Sequence, residues 1–432
     1  MQTVFRRQIK DGVFLTCVRT QKFKTGVLSA TMIAPLSKEA ASKNALLPRV
    51  LRRGTALHPN MESLAAALDE LYGARIEPVV RKKGEVQLAG FYADFVDDYF
   101  VPAGEQILEK TAALIGEMLL TPATSGGMLI GDYVDSERSN LIDEIKAAVN
   151  DKRQYAVTKL IELMCQGESY GVTRLGSESS AKKITAAGLT KHYREMIASC
   201  PIEVFYCGGA DSERVERAVL YALAALPRAG KGEMPHTEVR LEPVKPEPRY
   251  FTEELDVTQG KLSIGFRLGE VMRTPDYASV MAMNSVFGGS VTSKLMENVR
   301  EKLSLCYYAS SMIEKHKGIM LVSSGIEFSK YEEALSEIMH QLDAVKSGDF
   351  TDDELQSAKR SVITGLKTVM DNPRRIEDYF IDAVFTEVRS TPEELAELVG
   401  KVTNKDVIKA ASGIKTDAVY FLKGGGTAEN EK

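Results

Sequence analysis

Residues 45–73 read ALLPRVLRRGTALHPNMESLAAALDELYG. The stretch opens as a helix, breaks at Gly54-Thr55 and resumes as a second helix, a helix–corner–helix unit. Its first part, ALLPRVLRRG, sets Pro48 and Arg49 among apolar residues and offers no group for acid–base or metal chemistry. Proline lacks an amide hydrogen and its ring clashes with the preceding turn. Pro48 therefore predicts a helix that begins around residues 44–47 and keeps the ring in its first turn.

Working outward, the strand-like VFLTCVRT and GVLSATMIA precede this corner and EVQLAGFYADF follows it. A long helical section covers roughly 102–167, PIEVFYCGG (201–209) closes as a strand, and VERAVLYALAAL is a further helix. The proline-rich, charged AGKGEMPHTEVRLEPVKPEPRYF then reads as a linker. Beyond it the same order recurs. Strand KLSIGFRL leads to helices YASVMAMNSVFGG and TSKLMENVREKLS, strand GIMLVSSGIE, long helices and a closing strand, DAVYFLKG. The tail GGGTAENEK is expected to be disordered.

The recurrence holds position by position. At an offset of 235, Gly54 meets Gly289, Thr55 meets Ser290, Met61-Glu62 meets Met296-Glu297, Leu68 meets Leu303 and Tyr72 meets Tyr307. The offset then falls to 221, where Lys146 meets Lys367 and Arg153 meets Arg374, so the first half carries about fourteen extra residues, expected near TPATSGGMLIGDY. The expected domains are 1–228, a linker at 229–249, and 250–432. The fold class is α+β, as two similar α/β halves, each with an antiparallel-rich sheet flanked by helices.

Composition narrows the function. The chain of 432 residues is 44% hydrophobic and 27% charged with a formal net charge of −5, ordinary for a globular protein and giving no case for nucleic acid or an acidic membrane. It holds no apolar run long enough to span a bilayer. The N-terminus alternates like a strand and lacks the h-region of a signal peptide, so a cytoplasmic location is expected. Five widely spaced cysteines, Cys17, Cys165, Cys200, Cys207 and Cys306, support neither a disulfide framework nor a zinc ribbon. No two of the five histidines lie at i, i+4. FGGSVTSK lacks phosphate-loop spacing and reads as a turn between helices. The basic run Arg81–Lys83 beside Arg75 is either a contact for an acidic substrate or a solvated strand end, the latter being the expectation.

Several longer segments complete the pattern: SERSNLIDEIKAAVNDKRQY, GESYGVTRLGSESS and LTKHYREMIASCPIEVFYCGGAD in the first half, and FGGSVTSKLMENVREKLSLCYYASS, DFTDDELQSAKRSVITGL and TPEELAELVGKVTNKDVIKAA in the second. In this order and spacing the chain resembles the M16 (pitrilysin/insulinase-like) peptidases, and within them the two-half YmfF-like bacterial group. The resemblance implies two halves of the LuxS/MPP-like metallohydrolase fold. Active members carry an inverted zinc motif, HxxEH, on the helix before the Gly-Thr corner. Those three positions fall here on Ala45, Pro48 and Arg49. A methyl group cannot ligate zinc, proline cannot act as a base, and a guanidinium stays protonated and repels the ion. No metal or cofactor is therefore expected.

The resemblance also points to two remnants. ERSNLIDE supplies Glu137 and Glu144 with the spacing of the family's downstream carboxylates, either as solvated helix residues or with Glu144 paired to an Arg49 standing where the cation stood. REKLSLCY supplies Arg300 and Tyr307, the family's substrate-holding pair. The implied function is a non-catalytic subunit pairing with an HxxEH-bearing M16 partner and contributing Arg300 and Tyr307 in trans to a peptide substrate. The resemblance further connects such pairs to modification of elongation factor P. The alternative is a stand-alone peptide-binding or scaffold protein, with a homodimer as the fallback assembly. A relocated metal site is the weakest option, because the scattered histidines offer no pair.

Overall fold

The computed structural model describes residues 3–228, 233–270, 272–273 and 276–425. Residues 229–232 of the expected linker, and the part of the expected disordered tail from 426 onward, lie outside the described residues. In chain order the first elements are β1 (Thr3–Lys10), β2 (Val13–Arg19), β3 (Thr25–Pro35), α1 (Ala41–Leu51), α2 (Met61–Asp69), β4 (Arg75–Lys83) and β5 (Val86–Val96). They are followed by α3 (Ile107–Leu120), a short hairpin of β6 (Thr124–Ser125) and β7 (Met128–Leu129), α4 (Gly131–Ala147) and α5 (Lys152–Met164). Next come α6 (Glu178–Ala181), α7 (Ala186–Ser199), β8 (Ile202–Gly208) and α8 (Ser212–Ala222). The second half supplies β9 (Arg249–Leu255), β10 (Gly260–Arg267), α9 (Asp276–Asn284), β11 (Cys306–Glu314) and β12 (Ile319–Ile326). It ends with α10 (Tyr331–Ser347), α11 (Asp352–Val369), α12 (Pro373–Val384), α13 (Pro392–Lys401), α14 (Asn404–Ser412) and β13 (Lys415–Gly424).

Two compact units emerge. The first takes in the described residues of Met1–Lys146, Val172–His236 and Asn372–Asp382. Its sheet runs β1-β2-β8-β3-β5-β4, with β2 and β8 parallel and every other neighbouring pair antiparallel. Alternate side chains of its strands, among them Leu15, Leu28, Met32, Phe91 and Phe95, form one core with Leu46, Leu51, Ile115, Leu119 and Val219 from the helices. The second unit holds Ala147–Gly171, Thr237–Asp371 and the described residues of Ala383–Lys432. Its sheet runs β11-β12-β10-β13-β9, with β9 and β13 parallel. Taken from β9, this is the order of the first sheet taken from β2, including the single parallel pair.

Two equivalent helices leave their own sequence half. At the offset of 221, α5 corresponds to α12. In the second unit, α5 buries Ala156, Leu160 and Met164 against Ile319, Leu321, Ala418 and Tyr420. Gly265 permits this, since a Cβ there would lie 2.4 Å from the Met164 sulfur. In the first unit, α12 docks by charge: Arg81–Glu377, Lys83–Asp378 and Lys83–Asp382 are each 2.6 Å. Arg153 stacks on Tyr308 at 4.1 Å and Arg374 on Tyr92 at 4.8 Å, one cation–π contact per helix.

This docking corrects one expectation. Arg81 and Lys83 are not a solvated strand end but are 14% and 11% exposed, because α12 brings carboxylates to them. Burial opposes their charge while those carboxylates favour it, and the pKa of each ends above its usual value. The extra residues of the first half are also divided differently. Ten residues separate β5 from α3 and ten separate α3 from α4, against four at each corresponding place around α10. The expected linker is pinned within the second unit as well. Lys317 donates to the Glu238 carbonyl, Arg240 lies 3.6 Å from Glu168, and Lys415 pairs with Glu242 at 2.7 Å.

Candidate functional site

The first corner is built by burial. Nine of the eleven residues of α1 are buried, leaving Lys43 and Arg49 as the outliers. The helix begins at Ala41, not at 44–47, so Pro48 sits deep inside it. Its ring removes the amide that would bond the Asn44 carbonyl, at a cost of roughly 3 kcal/mol. Packing on both sides offsets that cost: Ala45, Leu46, Leu47 and Leu51 are all fully buried. A polar chain holds the helix start. Asn44 donates to Gln87 at 2.8 Å, and Gln87 donates to the carbonyls of Ala41 and Arg174 at 3.1 and 2.7 Å. His192 meets the Asn44 side-chain oxygen at 2.6 Å through Nε2, which therefore donates. Burial, aided by Lys43, pushes the His192 pKa down to about 4, so the ring is neutral. None of Asn44, Gln87 and His192 stood out in the sequence, where an isolated Asn or His carries no spacing signal.

The turn itself demands its residues. A Cβ on Gly54 would sit 2.6 Å from the Pro59 carbonyl oxygen. Thr55 is fully buried; its hydroxyl accepts from the His58 amide at 2.9 Å and donates to Glu117 at 3.1 Å. Asn60 and Ser63 form a reciprocal capping box that starts α2. Backbone bonds from Ala56 to Thr121 and from Ala123 to Gly54 tie the corner to the segment leading into the β6–β7 hairpin.

Beside the corner, α4 carries Glu137 and Glu144. Arg49 donates to Glu144 at 2.5 Å and Arg53 donates to Glu137 at 2.9 Å. The two contacts, one from the last turn of α1 and one from the turn just beyond it, meet carboxylates seven residues apart on α4 in reverse order, so the two segments run antiparallel. Arg174 reaches the other oxygen of Glu144 at 3.4 Å, and Arg53 lies over the Tyr133 ring at 5.1 Å. The donor set does not fit zinc. Ala45 offers a methyl, Pro48 a saturated ring, and Arg49 a cation already engaged with the carboxylate. Among the described residues, no group of three or more His, Cys, Asp and Glu side chains is placed to hold a metal ion.

The equivalent place in the second unit is built differently. Residues Ser285–Gly289 and Leu295–Lys302 form π-helices rather than α-helices. β11 begins 17 residues after Gly289, whereas β4 begins 21 residues after Gly54. The sequence match of Tyr72 with Tyr307 is consequently not a structural one. Tyr72 lies before β4 with φ +59°, whereas Tyr307 is the second residue of β11. Arg300, from the second π-helix, is 41% exposed and lies 3.3 Å from Glu301. Tyr307 is 59% exposed. The two line one open cavity of about 390 Å³ together with Ser304, Leu305, Cys306 and Glu327. Ser304 holds φ +51°, a strained value for a non-glycine residue, at the bend between the π-helix and β11. Burial raises the Cys306 thiol pKa, so this is not an activated nucleophile. The phosphate-loop alternative for FGGSVTSK fails on geometry too, since Lys294 is spent on Glu354 at 3.2 Å.

Comparison with known proteins gives these two corners their context. Over 414 residues, 96% of each chain, the sequence is 34% identical to a Bacillus subtilis protein described as "Probable inactive metalloprotease YmfF". Residues 183–362 match the family model for the peptidase M16 inactive domain. The chain belongs to the M16 peptidase family. It is a non-catalytic M16 member, in agreement with the side chains of Ala45, Pro48 and Arg49, which offer neither ligand nor base. The yeast mitochondrial-processing peptidase subunit beta is 23% identical over 73% of this M16 chain and 70% of its own length. Among solved structures, a conserved protein from Enterococcus faecalis superposes with a TM-score of 0.88 at 25% identity, covering 99% of this chain and 100% of that one. A peptidase M16 inactive domain from Pseudomonas fluorescens gives 0.79 at 18%, covering 99% and 100%, and shares the fold. Among the described residues no helix is long and apolar enough to cross a membrane.

Proposed function

We propose that this M16 chain is a pseudopeptidase subunit that pairs with an HxxEH-containing partner and lends it substrate contacts from Arg300 and Tyr307. One observation carries the reading. Ala45, Pro48 and Arg49 at the first corner offer no zinc ligand, while the equivalent corner of the second unit presents a guanidinium and a phenol in one open cavity. Arginine offers planar, charge-assisted donors to a peptide backbone, and a tyrosine hydroxyl donates to a developing oxyanion. The yeast relative is by its name one subunit of a peptidase, which supports assembly with a second chain. The same reading takes 1–228 and 250–432 as two copies of one module joined by 229–249. It takes Ala45, Pro48 and Arg49 as vacated zinc-motif positions and Glu137 and Glu144 as remnant carboxylates. A dimeric state and a link to elongation factor P modification rest on the family resemblance alone, and a cytoplasmic location on the sequence pattern alone.

The test is reconstitution. Mixing the chain with an HxxEH-bearing M16 partner is expected to raise zinc-dependent cleavage of a fluorogenic peptide. Arg300→Ala and Tyr307→Phe are each expected to cut that gain by about tenfold or more. Undiminished stimulation by both variants removes the substrate role of the pair. Peptide binding with no stimulation of any such partner moves the chain to the stand-alone scaffold reading.

A further inference from the structure

The second π-helix contributes residues to two cavities. Arg300 and Glu301 line the one described above. Glu297, Asn298 and Lys302 line another, of about 600 Å³, whose remaining walls come from α10, the loop after it and the first turn of α11. That volume lies within the range of small-ligand pockets. The π-helix itself runs for eight residues, longer than the single-turn bulge that is the usual form and that gathers at functional sites.

The lining is a polar network. Lys302 donates to the Asn298 side chain at 2.9 Å, Asn298 donates to Gln341 at 2.7 Å, and Gln341 donates to Glu337 at 2.6 Å. His340 Nδ1 lies 3.5 Å from that same Glu337 oxygen. Lys294, its side chain 9% exposed, lies 3.2 Å from Glu354, which also accepts from the Thr351 amide. Burial opposes the Glu354 charge, but the Thr351 amide and Lys294 outweigh it, and its pKa falls below the usual value. The cavity thus already holds one buried ammonium against a carboxylate. Glu297 and Asp349 are left over: among the described residues neither side chain has a hydrogen bond or an ion pair. With two lysines against four carboxylates, the lining is short of positive charge. Leu303, 49% exposed, and Ala344 add apolar surface to it.

We propose that this cavity is a binding site for an organic cation, an ammonium or guanidinium on an apolar stem, with Glu297 and Asp349 receiving the charge. The stem would lie on Leu303 and Ala344. A basic side chain of a polypeptide and a free polyamine both carry this chemistry. Occupancy would tie the π-helix to α10 and α11 and restrain the segment that bears Arg300. The site shares no lining residue with the Arg300–Tyr307 cavity, and it stands whether or not that cavity binds peptide.

Two probes present the cation in its two forms: agmatine, and the blocked peptide acetyl-Gly-Arg-Gly-amide. Calorimetric titration into the full chain is expected to show saturable binding of at least one, with slowed amide exchange over 295–302. The tighter probe identifies the source, free or chain-borne. A citrulline peptide, alike in shape but uncharged, should bind about tenfold more weakly than its arginine counterpart. Glu297→Gln and Asp349→Asn, isosteric changes outside the buried core, should each weaken the better probe about fivefold. The proposal is overturned if neither probe saturates by about 10 mM, if the citrulline peptide binds equally well, or if both variants keep full affinity.

Discussion

The Gly54-Thr55 and Gly289-Ser290 corners share one sequence pattern and are built in opposite ways. The first keeps α-helical geometry on both sides and replaces chemistry with ion pairs, Arg49–Glu144 and Arg53–Glu137. The second gives up α-helical geometry for two π-helices and keeps a guanidinium and a phenol in an open cavity. The residues that make the corner are therefore separable from those that would make it react. A glycine, a buried hydroxyl residue and a capped second helix hold the first turn while Ala45, Pro48 and Arg49 contribute no catalytic group.

The largest test of that separation is steric. Gly54→Ala would drive a Cβ into the Pro59 backbone at 2.6 Å, whereas Gly289→Ala first meets the end of the Asn284 side chain at 2.5 Å, with backbone no nearer than 3.0 Å. The first is expected to destabilise by about 3 kcal/mol or more and the second by about 1 kcal/mol or less, read as shifts in denaturation midpoint. Equal effects would mean that the two corners are not under different constraint.

A middle-sized effect concerns the polar chain at the start of α1. His192 is neutral in the folded protein with a pKa near 4, while the unfolded chain binds its proton near 6.5. Stability from this group is complete above pH 6.5 and is lost as pH falls toward 4. With allowance for partial solvent access, wild type should lose about 2 kcal/mol more than His192→Gln between pH 7 and pH 4.5. Parallel pH profiles for the two proteins would exclude His192 as the source.

The smallest effect is the ion-pair lacing itself. Both Arg49 and Glu144 are partly exposed, at 19% and 41%. A double-mutant cycle on Arg49→Ala and Glu144→Ala should give a coupling of about 1 kcal/mol or less, weaker in high salt. A much larger value would make the pair a principal support of the corner and not a filler of vacated space.

Much of this was legible in the residues, for identifiable reasons. The repeat of strand and helix order and the Gly-Thr corner follow from spacing, and that Ala45, Pro48 and Arg49 cannot ligate zinc follows from their side chains. The start of α1 did not, because burial on both faces overrides proline's preference for a first turn. The π-helices were invisible, since apolar spacing over 295–302 reads as an ordinary helix and the four residues missing before β11 leave no local mark. Nor does helical periodicity say which sheet a helix joins, so the placements of α5 and α12, and with them the pairing of Arg81 and Lys83, needed the fold.

The central claim is that the first corner kept its shape and cannot hold zinc. Metal analysis of the purified chain, after incubation with equimolar zinc and gel filtration, tests it most directly. The account predicts far less than one zinc per chain, and the same result for Glu144→Gln. One tightly held zinc per chain, lost in Glu144→Gln, would contradict it.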